Sequence, residues 1–316
     1  MVLTIVLVSY NTKALIDPCF AALDKARARI GASEVIVIDN ASRDGSAEHL
    51  EENYPDVRLI RSPINVGFGR ANNLALPFAH SPFVLLLNTD AFVSEDSLEK
   101  SLDCMRADAH CGIVGVRLVG RDGEIQPSCR YFPTPLNVFV SRTATARLFP
   151  SVRTIDGPDF APAKMQNCDW VPGCFYLIRK EVIDRVGLFD PRFFLYYEEV
   201  DHCLATQRAG WNIVYLPTTT VIHIGGESAK SDGALTKSGK QVDRISMESA
   251  QLYFRKNFGL SAFLAHVWLD LVADVYLMLK AIVRKGDWPT ARRLLVRMST
   301  TIGLGWATRM GTHATR

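Results

Sequence analysis

The chain has 316 residues, of which 48% are hydrophobic and 22% charged, and a net charge of +3. That balance excludes a disordered or fibrous protein and leaves room for one large α/β domain with additions, or for two domains. The charge is unevenly placed: residues 280–316 carry eight basic residues against the single acid Asp287, while the remainder is net acidic. A basic tail of this kind points to a membrane surface or a polyanion.

Val2–Ser9 predicts a first strand, rich in Val, Leu and Ile. The apolar start MVLTIVLVSYN has no basic n-region or cleavage site and is too short to span a bilayer, so it is expected as a buried strand. Ala14–Arg29 has helical composition, Val35–Ile38 is a second strand, and Ala47–Asn53 a second helix after the Asp44-Gly45-Ser46 turn. Val57–Ile60 is a third strand, followed by the loop Asn65–Gly69 and a helix over Arg70–Phe78. The run Phe83–Leu87 is uninterrupted and apolar, ends abruptly in Asn88-Thr89-Asp90, and reads as a strand buried on both faces. Strands alternating with helices of this length imply a mostly parallel sheet. Three strands end in polar tips, at Ser9-Tyr10-Asn11, Asp39-Asn40 and Asn88-Thr89-Asp90, and ligands in open α/β sheets sit beyond such ends.

Beyond residue 94 the pattern loosens. Ser94–Arg106 predicts a helix and Gly112–Leu118 a strand; residues 127–168, with six prolines, predict a long irregular connection. Cys174–Ile178 is a strand, Glu198–Arg208 a helix, and Ile213–Leu216 and Val221–Ile224 two short strands. Residues 225–241 have almost no large apolar side chain and are expected as a mobile loop. From Leu260 to Val283 an apolar stripe recurs at helical spacing, with His266, Asp270, Asp274 and Arg284 expected on the opposite, polar side. The two aspartates interrupt any long apolar span, so an interfacial anchor is expected rather than a transmembrane helix. Packing against the catalytic domain, or against a second copy in a homodimer, is an equal alternative. Seven scattered cysteines include no Cys-x-x-Cys pair, which argues against a zinc site and for a reducing compartment.

Several side chains in this order could carry chemistry. Asp39 and Asp90, at what read as neighbouring strand tips, suit either a shared divalent metal or, for one of them, a hydrogen bond to a nucleobase. Gly67-Phe68-Gly69 is a poor dinucleotide fingerprint, because Asn72 stands where a third glycine would fall. Glu198, Glu199 and Asp201 suit the first turn of a helix, or a general base with a supporting acid. His223 is by default a core or surface histidine, and a metal ligand if it faces Asp90. Trp170–Cys174 suits one wall of a sugar site, or simply the core.

Taken together, VSYN at 8–11, VIDNASRDGS at 37–46, NVGFGRANN at 65–73, LLLNTD at 85–90, WVPGCFYLIRK at 170–180, VGLFDPRFFLYYEEVDHCL at 186–204 and RAGWNIVYLP at 208–217 resemble the inverting family 2 glycosyltransferases, in their rhamnosyltransferase-like branch. The resemblance covers roughly residues 1–225. It implies the GT-A fold: an α/β (αβα) domain with a mostly parallel central sheet flanked by helices. Residues 1–110 would form the nucleotide-sugar half and 111–225 the acceptor half. A loop and helix (226–259) and a basic amphipathic helical tail (260–316) would follow.

The resemblance assigns Ser9, Tyr10, Asn11, Asp39, Asn40, Gly67, Asn72, Asn73, Asn88, Thr89 and Asp90 to the nucleotide-sugar. Asp39 would read the base. Trp170, Gly173 and Cys174 would face donor sugar and acceptor, Asp90 and His223 would hold Mg or Mn, and Glu199 would be the base, with Glu198 and Asp201 as alternatives. Two departures stand out: Asn88 replaces the first acid of the DxD-type motif, and Glu199 replaces the usual aspartate. The arginine that often follows is Ala205 or Thr206 here, with Arg208 as the nearest substitute.

The implied partners are a nucleotide-diphospho-sugar, dTDP-L-rhamnose first, a saccharide or polyprenyl-diphosphate-linked acceptor, and the inner face of the cytoplasmic membrane. No nucleic acid is expected. The competing readings are a sugar nucleotidyltransferase, disfavoured because Tyr10–Lys13 has no glycine, and a non-catalytic nucleotide-sugar-binding protein.

Overall fold

A computed structural model describes residues 1–156, 163–225 and 240–316; most of the expected loop at 225–241 lies outside the described residues. The chain divides into two compact units. The first comprises Met1–Arg130, Pro158–Phe194 and Glu198–Gly239, and the second Tyr131–Gly157, Leu195–Tyr197 and Lys240–Arg316.

The first unit is built on one mixed sheet, and the α/β expectation is borne out. Its strands are β1 (Leu3–Ser9), β2 (Ser33–Asp39), β3 (Arg58–Arg61), β4 (Phe83–Asn88), β5 (Ala91–Val93), β6 (Cys111–Val119), β7 (Ile125–Gln126), β8 (Gln166–Asn167), β9 (Phe175–Arg179) and β10 (Asn212–His223). The order is β3-β2-β1-β4-β9-β6-β10-β5, with β7 on β6 and β8 on β10. The four N-terminal strands β3, β2, β1 and β4 are parallel. β9 then enters antiparallel between β4 and β6.

Leu3, Ile5, Leu7, Val37, Leu85 and Leu87 are buried, as continuous apolar runs covered on both faces should be. Helix α1 (Lys13–Arg27) buries Ile16, Cys19, Phe20 and Leu23, one stripe at helical spacing. The other helices of this unit are α2 (Ser46–Asn53), α3 (Phe68–Asn73), α4 (Ser97–Ala107), α6 (Lys180–Val186) and α7 (Glu198–Arg208).

Four local expectations change, each for a stated reason. The predicted helix over 70–78 stops at Asn73 and resumes as a 3-10 turn at Leu76–Phe78. Pro77 supplies no N–H and disfavours the α conformation before it. The proline-rich stretch holds a real helix, α5 (Pro135–Thr143), in the second unit. Pro135 sits in its first turn, where a missing N–H costs nothing, and Thr134 and Asn137 cap each other's backbone N–H groups. The two short strands near 213–224 are one strand, β10, with a register shift between Leu216 and Thr220, next to Pro217. The stretch Phe83–Val93, expected as one strand with its polar tip, holds two strands, and β5 leaves β4 to pair with β10 at the end of the order.

The second unit is helical. Beside α5 it contains α8 (Lys240–Lys285), broken at Gly259, and α9 (Trp288–Ala307). Asp287 caps α9, accepting from Thr290 N–H at 3.0 Å. Helix α8 is long and apolar enough to cross a membrane by length and composition. Its two faces separate as the spacing expects, with the polar one turned inward. His266, Asp270 and Asp274 are buried, whereas Leu264, Trp268, Val275 and Leu279 of the apolar stripe are exposed.

Candidate active site

Parallel pairing of β1 with β2 and β4 puts Ser9, Asp39 and Asn88 at one edge, in register Ser9↔Asp39 and Val8↔Asn88. One expectation is corrected here. Asp39 and Asp90 are not at neighbouring tips, because β1 lies between β2 and β4. Two strand spacings make about 10 Å, too far for both carboxylates to bind one ion.

Asp39 lines a cleft of about 670 Å³ with Tyr10, Ser42, Arg43, Arg61 and Asn65. That volume suits a small ligand. Asp39 Oδ2 accepts from Ser42 N–H at 3.1 Å. Its Oδ1 is out of solvent and has no hydrogen-bond partner among the described residues. A buried, unpaired carboxylate oxygen is costly and calls for a donor.

The surrounding loops are tied by side chains. Asn11, at φ 52°, accepts from Arg43 N–H at 2.7 Å and donates its own N–H to Ser42 Oγ at 3.0 Å. Asn40 donates to Asn65 Oδ1 at 3.0 Å and accepts from Val66 N–H at 2.9 Å. Ser9 and Thr89 both reach Thr12 Oγ1 at 3.1 Å, so their hydroxyls join the β1 and β4 tips. Gly67 is required where it stands: φ is +87°, and a Cβ would fall 2.2 Å from the Phe194 carbonyl oxygen. Asn72 donates to Phe68 O at 3.0 Å, while Asn73 donates to Phe189 O at 2.7 Å and accepts from Phe189 N–H at 3.1 Å. These two asparagines brace the loop with their side chains.

Asp90 follows the end of β4 and is buried. Its neighbour Ala91 pairs with His223 in the antiparallel β5–β10 ladder, and this register brings His223 Nε2 to 3.7 Å from Asp90 Oδ1. Gln126 Oε1 lies 3.0 Å from His223 Nδ1, and Gln126 Nε2 donates to the His223 carbonyl at 2.8 Å. An amide oxygen can only accept, so Nδ1 carries the proton and Nε2 presents its lone pair toward Asp90. Burial also holds the His223 imidazole below its ordinary pKa, in the neutral form a metal needs. Among the described residues no cluster of three His, Cys, Asp or Glu side chains forms a metal cage. The Asp90 carboxylate and the His223 imidazole would suit a divalent cation that takes further donors from a bound ligand.

Glu199 lies in the first turn of α7. Its Oε2 is out of solvent and has no partner among the described residues. Burial pushes its carboxyl above the ordinary range, against the backbone N–H groups of Glu199, Val200 and Gly173 and the Arg130 guanidinium. Glu198 and Asp201 are buried in the same turn. Tyr196 and Tyr197, just before α7, are both left-handed, at φ 68° and 69°. Strain of this kind costs about 1–3 kcal/mol per residue and concentrates at functional sites. Gly173 keeps the floor low, since a Cβ there would touch Phe68 and Glu199 Cβ at 3.4 and 3.9 Å. The buried Cys174 thiol is pushed well up by burial and by Asp90, and less by Glu199, so it senses both carboxylates.

Residues 4–186 match the family described as Glycosyl transferase family 2. The chain belongs to that family. It is a glycosyltransferase acting on a nucleotide sugar, and its resemblance to the rhamnosyltransferase-like branch is borne out by its relatives. It is 28% identical over 258 residues to the N-acetylglucosaminyl-diphospho-decaprenol L-rhamnosyltransferase of Mycobacterium tuberculosis, covering 74% of this chain and 79% of that one. It is 23% identical over 229 residues to the dTDP-rhamnosyl transferase RfbF of Shigella flexneri, covering 71% of each. Among solved structures, the mannosyltransferase of Pyrobaculum calidifontis in complex with GDP-Man and Mn2+ aligns with a TM-score of 0.55 at 19% identity, over 98% of this chain and 84% of that one. At that identity the likeness shows the shared fold.

Two residues of this glycosyltransferase escaped the sequence reading. Arg130 stacks on the Trp170 ring at 4.3 Å, exchanges backbone hydrogen bonds with Trp170 at 3.2 Å, and acts on Glu199. Arg208, the substitute considered earlier, ends α7 and is exposed. Gln126, which fixes the His223 tautomer, is the other. A lone arginine and a lone glutamine beside a proline-rich stretch carry no signal until the sheet brings them to Trp170 and His223.

Proposed function

We propose that the chain transfers L-rhamnose from dTDP-L-rhamnose to a lipid-linked saccharide, with inversion, in the synthesis of a bacterial cell-surface or cell-wall polysaccharide. The observation that carries this reading is Glu199, whose desolvated Oε2 has no hydrogen-bond partner among the described residues and which lies beside Gly173 of the Trp170–Cys174 wall. A structural acid would be paired.

In this reading Asp39 Oδ1 accepts the N3–H of the pyrimidine base. Asp90 and His223 Nε2 hold a divalent cation, Mg2+ or Mn2+, against the diphosphate; when bound, the cation neutralises charge on the leaving group. Glu199 removes the acceptor hydroxyl proton as that oxygen attacks the anomeric carbon opposite the diphosphate. The Arg130 guanidinium works against the effect of burial on Glu199 and favours its ionised form. The acceptor class follows the lipid-linked acceptor in the M. tuberculosis relative's name. A lipid acceptor suits a cytoplasmic enzyme at the inner face of the membrane.

The test is a thermal-shift screen of nucleotide-sugars with and without Mn2+, followed by transfer to a synthetic polyprenyl-diphosphate saccharide. Stabilisation by dTDP-rhamnose above UDP- and GDP-sugars is expected, because ligand binding to the native state raises apparent stability. Selective stabilisation by a GDP-sugar would overturn the donor assignment. Binding without any turnover would favour the non-catalytic reading.

A further inference from the structure

The second unit presents an inside-out helical hairpin. Beyond Gly259, helix α8 runs antiparallel to α9: Asp274 pairs with Arg297 at 2.7 Å, and further back Phe263 lies against Gly305. A soluble hairpin buries its leucines and tryptophans and wets its acids. Here Asp274 is 0% and Asp270 5% exposed, whereas Trp268 is 62%, Trp306 74% and Val283 81% exposed. Between Asn257 and Leu279 the only charged residues are these two aspartates, so the outward surface of that stretch carries no charge.

The interior is charge-balanced. Arg142 of α5 pairs with both aspartates. Arg297 of α9 binds the same two, at 2.7 Å to Asp274 and 3.0 Å to Asp270, and Thr301 Oγ1 donates to Asp270 at 3.4 Å. Two guanidinium groups and two carboxylates therefore satisfy one another inside. This is how polar side chains are arranged where the outside is lipid: turned inward and paired.

We infer that the hairpin of α8 beyond Gly259 and α9 embeds its uncharged outer face in the acyl boundary of an anionic bilayer, lying in the plane of the interface. Charge selects lipid over a second copy as the occupant. The 280–316 segment holds eight basic residues against one acid, so two copies of it repel, while anionic headgroups attract it. The exposed Trp288 next to Arg292 and Arg293 at the connecting turn has the composition of an interfacial rim. Charge also argues against crossing. The turn carries Lys280, Arg284, Lys285, Arg292 and Arg293, which a crossing hairpin would have to pull through the hydrocarbon.

The inference deepens the membrane-face reading above. Its test involves no sugar, so either can fail alone. Full-length protein is floated with phosphatidylcholine vesicles and with vesicles also containing phosphatidylglycerol, at physiological and at high salt. Flotation with anionic vesicles that survives high salt is expected. Release by salt would reduce attachment to surface adsorption and overturn embedding. The double variant Leu264→Glu, Trp268→Glu should lower vesicle partitioning by at least about a hundredfold while keeping the wild-type melting temperature, since both side chains face outward. Wild-type flotation by that variant would overturn the proposal. So would a salt-stable wild-type dimer in vesicle-free buffer that the same variant dissociates. Quenching of tryptophan fluorescence by brominated lipid, reduced in Trp268→Phe, reports insertion directly; unquenched fluorescence in vesicle-bound protein would refute it.

Discussion

Replacing Asp39 by asparagine removes one acceptor from a position that needs two. In the native chain Oδ2 accepts from Ser42 N–H at 3.1 Å and Oδ1 is buried with no partner among the described residues. A pyrimidine N3–H would complete it. Asparagine has one acceptor oxygen, so the variant either keeps Ser42 and turns an NH2 toward the base N–H, or serves the base and abandons Ser42. A hydrogen bond to a charged acceptor is worth about 1.5–3 kcal/mol, so Kd for dTDP should rise by about 10–150-fold. The fold should not suffer, because the substitution removes a buried charge whose second oxygen the free protein leaves unpaired. Isothermal titration of wild type and Asp39→Asn with dTDP, beside their melting curves, measures both effects. Wild-type affinity in the variant would refute base recognition by Asp39. Lost affinity together with a large fall in Tm would show that the residue acts through the fold instead.

Glu199→Gln should cut transfer by about 10²–10⁴-fold and raise Tm at neutral pH. A buried acid with a raised pKa holds its proton more tightly folded than unfolded. Wild-type stability therefore falls as pH rises from the ordinary glutamate value, about 4.3, through the raised folded value. The Tm difference between Gln and Glu should vanish in acid, and wild-type activity should rise with pH as Glu199 ionises; an unchanged rate in the variant moves the base elsewhere. Asp90→Asn and His223→Ala should each remove the thermal stabilisation that Mn2+ gives with dTDP; an undiminished shift in both would place the ion on other ligands. Gly67→Ala drives a Cβ to 2.2 Å from the Phe194 carbonyl oxygen at φ +87°, so at least about 2 kcal/mol should be lost, seen as a Tm lower by several degrees. Arg297→Met leaves two buried aspartates short of one partner and should cost about 3–5 kcal/mol by chemical denaturation; a neutral result would mean the acids are hydrated.

The sequence by itself determined the strands of the parallel half, because a strand covered on both faces must be an unbroken apolar run, as Phe83–Leu87 is. It determined which edge carries the site, since parallel strands all point their carboxyl ends the same way and those ends are polar. It also determined the family, through short motifs kept in order. Only the tertiary structure decided what depends on pairings between distant segments. The strand order put β1 between Asp39 and Asp90 and so separated the two carboxylates. The β5–β10 register, joining Ala91 to His223, brought His223 to Asp90, 133 positions away in the sequence. Periodicity shows only that the two faces of α8 differ; the packing of Arg142 and Arg297 on Asp270 and Asp274 decided that the polar face is inside.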